Sequence, residues 1–181
     1  MSPVDPEYAG EFAVVATWLS VLLPWSVSLS APGGGSFLSV RFPLLSVRLL
    51  FGLKVAGEIP LLFVWQAPAL PAPGSAAGPA FILWLAGAVV LAIALAISLG
   101  YYARETALEA ASPVDLVRLL GSLLAIGGSC LLAATILLVL PASMLQALRV
   151  AETGYAGVTA PIGALIVPVL GAVALRIDRG G

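Results

Sequence analysis

Lys54 and Glu58 stand four residues apart in an otherwise apolar stretch, VRLLFGLKVAGEIPLLFVW, whose one other charge is Arg48. Inside a bilayer an ionisable pair of this kind marks an ion or proton path. At a surface it is a solvated i,i+4 pair in the less favourable order, and that reading is the simpler one. Glu11 opens the first apolar run, where a carboxylate is either an interfacial anchor or a proton-coupled group. Cys130, the single cysteine, lies between Ser129 and Leu131-Leu132. A thiol buried among apolar neighbours packs rather than reacts, and a membrane transpeptidase would need a base that this stretch lacks. No His occurs anywhere, which removes the commonest general base and metal ligand. No phosphate loop, zinc spacing or nucleophile elbow is present. These residues argue against an enzyme, and they imply no cofactor and no metal.

The elements that must position these groups are apolar. Hydrophobic residues make up 61% of the 181 and charged residues 9%, against roughly a quarter charged in soluble domains. The net charge of −1 offers no basic field for nucleic acid. From Phe81 to Leu99 the one polar side chain is Ser98. About 20 such residues cross the roughly 30 Å hydrocarbon core of a bilayer. Tyr101 and Tyr102 follow where headgroups would lie. The first ten residues carry no Lys or Arg, so the first apolar run is expected to be retained as an anchor rather than removed as a signal.

Taken in order, a first span is expected over about 9–24. Trp25 to Ser30 then alternates apolar and polar, and Leu38, Val40 and Phe42 alternate with Phe37, Ser39 and Arg41 across a Gly-rich connection. This is a β-hairpin pattern, placed at the membrane surface because open sheet edges are not tolerated in lipid. Trp25, Val27 and Leu29 are expected to face lipid or neighbouring helices. Pro43 to Pro68 reads as a surface-lying or partly inserted helical segment broken near Pro60, with a fifth span as the alternative. A Pro/Ala/Gly linker leads to the second span, about 80–101. Ser112-Pro113-Val114-Asp115 is a helix start with Ser at the cap. It opens a third span, about 114–140. Met144 to Ala151 suggests a short interfacial helix. A fourth span, about 156–175, contains Pro161 and Pro168. Gly121, Ala125, Gly128, Ser129 and Ala133 give the third span a face of small residues suited to close helix packing.

The expected fold is therefore an all-α integral membrane protein, residues 1–181 forming one membrane domain. It has four transmembrane helices, or five in the alternative, and a small extracytoplasmic hairpin or amphipathic segment over 25–78. The distribution of Lys and Arg is even for four spans and biased for five. Both arrangements put the 102–115 loop and the C-terminus in the cytoplasm.

Several stretches resemble an uncharacterised family of haloarchaeal multi-pass membrane proteins: Glu7-Tyr8-Ala9-Gly10-Glu11, Leu23-Pro24-Trp25, Val40-Arg41-Phe42-Pro43, Phe51-Gly52 and Pro113-Val114-Asp115. The resemblance implies a neighbourhood with archaeosortase, the membrane enzyme that processes surface-layer proteins, and a place at the cell envelope without a defined activity. The function expected from residues and resemblance together is a non-enzymatic accessory or assembly factor. Its partners would be the lipid bilayer and a second membrane protein. A small transporter using Lys54/Glu58 or Glu11 is the alternative.

Overall fold

A computed structural model describes residues 8–30, 36–51, 61–103, 115–148 and 157–177. Helix α1 (Ala9–Leu22) ends at Pro24, and the chain turns into strand β1 (Ser26–Ser30), followed by β2 (Ser36–Arg41) and β3 (Leu45–Phe51). Strand β4 (Leu61–Phe63) runs into a 3-10 helix over Val64–Ala69. The long helices α2 (Ala77–Ala103) and α3 (Leu116–Val139) come next, then the short α4 (Ala142–Ala147), strand β5 (Val158–Ala160) and helix α5 (Ile162–Leu175).

The strands form one sheet in the order β4-β3-β2-β1-β5, antiparallel at every pairing. The 25–42 hairpin is present, with Val27 opposite Val40 and Ser28 opposite Ser39. The all-α, four-span expectation is overturned on two counts. The first is this five-stranded sheet. The segment expected to be helical from Pro43 onward supplies β3 and β4, because Leu45-Ser46-Val47-Arg48-Leu49 alternates with the period of two that a strand requires. The second is length. Among the described residues two helices are long and apolar enough to cross a membrane, α2 with 27 residues and α3 with 24. Helices α1 and α5 have 14 residues each, about 21 Å, well short of a hydrocarbon core.

Three further boundaries move. Residues 158–160 pair with β1 rather than beginning a helix, since Pro161 restricts the residue before it to extended backbone and Thr159 meets Ser28. Asp115, not Ser112, caps α3: its carboxylate accepts from the Val117 N–H at 3.0 Å and the Arg118 N–H at 3.3 Å. Ser112, Pro113 and Val114 lie outside the described residues. Of the residues expected to face lipid or neighbouring helices, Trp25 is fully buried against Trp84 of α2 and Gly163 of α5, and Leu29 is exposed.

Helix α3 is the centre of the helical layer. It runs antiparallel to α2, with Gly87 against Gly127, Cys130 and Leu131. It also runs antiparallel to α5, with Gly128 against Val167 and Pro168 and Gly121 against Gly171 and Ala174. Helix α1 lies across α2, α3 and α5. The sheet packs at the end where α1 stops and α2 and α5 begin. The first free N–H groups of α5 are satisfied there: Gly163 donates to the Pro24 carbonyl at 2.9 Å and Ala164 to the Trp25 carbonyl at 3.1 Å. A Cβ at Gly163 would sit 2.7 Å from that Pro24 oxygen, so the junction needs glycine. At the opposite end Ala9 and Ala13 of α1, Ala94 of α2, Val117 and Leu120 of α3 and Ile177 form the second part of the core.

The tightest helix contact is at Gly171, where a Cβ would meet the Ala125 backbone nitrogen at 2.5 Å. Gly171→Val is expected to cost about 1–3 kcal/mol by forcing α3 and α5 apart. Leu165→Ala, at an exposed position of the same helix, should stay within about 0.5 kcal/mol. Unfolding of the purified protein followed by circular dichroism measures both.

Candidate functional site

The register sorts the sheet into two unlike faces. Toward the helices point Ser26, Ser28 and Ser30 of β1, Ser39 and Arg41 of β2, Ser46 and Arg48 of β3, and Thr159 of β5, with Phe37, Leu50 and Leu62 as the apolar members of that face. Away from them point Val27, Leu29, Leu38, Val40, Leu45, Val47, Leu49, Phe51, Leu61, Phe63 and Val158. The polar set is the buried one. Ser26, Ser28, Ser30, Ser39, Arg41 and Ser46 are all buried, whereas Leu29, Leu49, Phe51 and Leu61 are exposed and Val158 is 77% exposed.

A buried hydroxyl or guanidinium must find partners or cost several kcal/mol, and the strand pairing brings them together. Arg41, 4% exposed, donates through Nη1 to the Ser28 hydroxyl and, at 3.4 Å, to Ser26. Ser28 also shares a hydrogen bond with Thr159 Oγ1 at 2.8 Å, in which either hydroxyl can donate. Ser39 and Ser46 pair at 3.2 Å. The guanidinium also lies over two rings, 6.0 Å from the Trp25 centroid and 5.8 Å from that of Phe81, at a separation where the ring quadrupole attracts a cation. Trp84 completes this layer. Its indole N–H donates to the Pro43 carbonyl at 2.8 Å and the Phe42 carbonyl at 3.1 Å, and its ring packs against Trp25 and Phe81. The β2–β3 turn is thus tied to the second turn of α2.

Beside this layer is a cavity of about 310 Å³ lined by Phe37, Ser39, Arg41, Arg48, Leu70, Pro71, Ala77 and Phe81. Among the described residues no carboxylate lines it. Two guanidinium groups and a hydroxyl, walled by apolar side chains at the first turn of α2, suit an anionic group carried on an apolar body. At the other end of the bundle a second cavity, about 270 Å³, is lined by Glu11, Val14, Val15, Trp18, Tyr101 and Tyr102.

Of the residues singled out from sequence, Lys54 and Glu58 lie outside the described residues. Glu11 is exposed on the first turn of α1 and borders the second cavity. Gly121, Ala125 and Gly128 face α5. Ser129 is exposed and turns its hydroxyl back to the Ala125 carbonyl at 2.7 Å, and Ala133 is half-buried. Cys130 is half-buried against Gly87. The Arg41–serine layer was missed. Its signal was the shared parity of Ser26, Ser28 and Ser30 with Ser39 and Arg41, which places all five on one face once the hairpin register is set.

Ser28→Ala, which deletes only the hydroxyl, removes the acceptor for Arg41 and the partner of Thr159. A loss of about 1–3 kcal/mol is expected. Ser36→Val, on the outward face, should change stability by less than about 0.5 kcal/mol. The same denaturation measurement compares them.

Among proteins with curated descriptions, none matches the chain. A family profile matches residues 2–179, nearly the whole length, and the chain accordingly belongs to DUF7549, a family of unknown function.

Proposed function

We propose that the protein is a non-enzymatic accessory protein embedded in the cell membrane, where it receives an anionic group at the sheet end of its helix bundle. The carrying observation is the polarity of the sheet, whose inward face holds the arginines and all its serines but Ser36, beside Phe37, Leu50 and Leu62, and whose outward face is otherwise apolar. In water this arrangement is unfavourable twice over, for the apolar area exposed and for the polar groups withdrawn. Against lipid both signs reverse.

The long helices agree with this reading. Both are apolar all round, yet 39% of the most apolar stretch of each is buried, where a soluble core helix would be mostly covered. Ile82, Val89, Ile93 and Leu99 of α2 and Ile126, Ile136 and Val139 of α3 point outward. At about 40 Å and 36 Å the two helices exceed the hydrocarbon thickness. An open sheet is excluded from the hydrocarbon itself, so it belongs at the interface, where its three-residue edge strands β4 and β5 offer little edge to pair with. The reading without catalysis rests on the absence of His and on a single Cys without a basic neighbour in its helix. The bundle end that carries the 102–115 loop and the C-terminus is assigned to the cytoplasm, which leaves the sheet on the envelope side. Of the residues named for the transporter alternative, Lys54 and Glu58 lie outside the described residues and Glu11 borders the second cavity.

Two measurements test this. Alkaline carbonate should leave the protein in the membrane pellet. In a Cys130→Ser background, single cysteines at Ala72 and Thr106 should react from opposite sides of the membrane. Release by carbonate, or labelling of both from one side, refutes the embedding. For the anion, sulfate should raise the melting temperature of the detergent-solubilised protein above that in chloride of equal ionic strength, by linkage to the folded state. Arg48→Gln should remove most of that difference. An unchanged difference in the variant assigns the effect to general salt exclusion and refutes the anion site.

A further inference from the structure

We propose that the cavity between the first half of α1 and the last turn of α2 is a binding site for an organic ammonium group. Three aromatic side chains and one carboxylate line it: Trp18, Tyr101, Tyr102 and Glu11, with Val14 and Val15 completing the wall. Aromatic faces attract a cation through their quadrupole, most strongly when several surround it, and this is how quaternary ammonium groups are recognised. Glu11 supplies the counter-charge at the rim. The proposal stands whether or not α2 and α3 cross a bilayer.

The alternative is an ordinary belt of interfacial aromatics, and the geometry argues against it. A belt tryptophan holds its N–H toward headgroups. Here the Trp18 N–H turns inward and donates to Ser98 Oγ at 3.2 Å. Ser98, fully buried, is oriented in turn by its own bond to the Leu95 carbonyl at 2.9 Å. It is the single polar side chain of an apolar stretch, and it fixes the indole plane. Tyr102 meets Trp18 edge to face, ring centroids 5.4 Å apart, so the two rings form adjacent walls. Tyr101, 4% exposed, is seated against α1 at Gly10, where a Cβ would lie 2.6 Å from the phenol oxygen. Gly10 therefore makes room for the third ring. Glycine, serine and carboxylate each occur where an aromatic box open on one side requires them.

The full chain in detergent is titrated with tetramethylammonium chloride by isothermal calorimetry, with tert-butanol as the neutral analogue of similar shape. Saturable binding in the millimolar range is expected for the cation and none for the alcohol. Glu11→Gln, an exposed change that spares the fold, should weaken binding about tenfold. Tyr102→Phe, which keeps the ring face, should bind within about twofold of the parent, while Tyr102→Leu should lose most of the affinity. Equal uptake of tert-butanol, a non-saturating titration, or Tyr102→Leu binding as well as Tyr102→Phe would overturn the proposal. Repeating the titration in vesicles identifies the source. A lower apparent affinity in phosphatidylcholine vesicles than in vesicles of an uncharged, choline-free glycolipid means that a lipid headgroup occupies the box. Equal affinities mean that its ligand is a free ammonium compound.

Discussion

The structure depends on how closely α3 can be approached from both sides. Against α5 it offers Gly121, Ala125 and Gly128, and the partner helix answers with Gly171 and Ala174. Against α2 it offers Gly127, opposite Gly87. Each close approach of two backbones adds van der Waals contacts that are individually small and collectively large. Small residues are what permit it. The face of small residues is thus less a decoration of one helix than the condition for α2, α3 and α5 to share an axis. It also leaves the bulkier Ile and Val side chains on the outside of the bundle.

Once the helices are fixed, the sheet follows from where they start and stop. Helices α1 and α5 have 14 residues, about half the length of their neighbours, and each runs directly into one of a pair of adjacent strands, β1 and β5. The sheet stands where those helices lack turns. It has to meet the flank of α2, and it does so with its polar face. The Trp84 N–H reaches across to the β2–β3 turn, and the Arg41 guanidinium is held between Trp25 and Phe81. The hydroxyls of Ser26, Ser28, Ser39, Ser46 and Thr159 and the Arg41 guanidinium are turned toward one another, and most of the apolar side chains of the sheet are turned out.

Much of this could be read from the chain. The uniform apolar run from Phe81 to Leu99 specified α2, the small residues from Gly121 onward specified the packed side of α3, and the alternation on either side of the Gly-rich connection specified the first hairpin. Two things were obscured. In Leu45 to Phe51 the alternation is blurred by three consecutive apolar residues, Leu49-Leu50-Phe51, so overall hydrophobicity masked a period of two. In the last segment Val158-Thr159-Ala160 carries no charge and leads straight into an apolar helix, and hydropathy cannot tell a strand from a helix. The Arg41 layer was hidden for a different reason. No local pattern states which face of a strand will be inside, and the usual rule, apolar inward, gives the wrong answer here.

That inversion also organises the polarity of the two ends. At the sheet end the groups lining a cavity are Arg41, Arg48 and Ser39. At the other end they are Glu11 and three aromatic rings. Helix α2 joins the two, beginning beside the arginines at Ala77 and finishing with Tyr101 and Tyr102. Its macrodipole is aligned with this arrangement in one sense and opposed in another. The positive end lies where an anion would be received, which helps. The negative end lies beside the Glu11 carboxylate, which is unfavourable unless a cation stands between them. An ammonium group in the aromatic box would satisfy both the carboxylate and the C-terminal carbonyls of α2. The same backbone dipole thus favours an anion at one end of the bundle and a cation at the other.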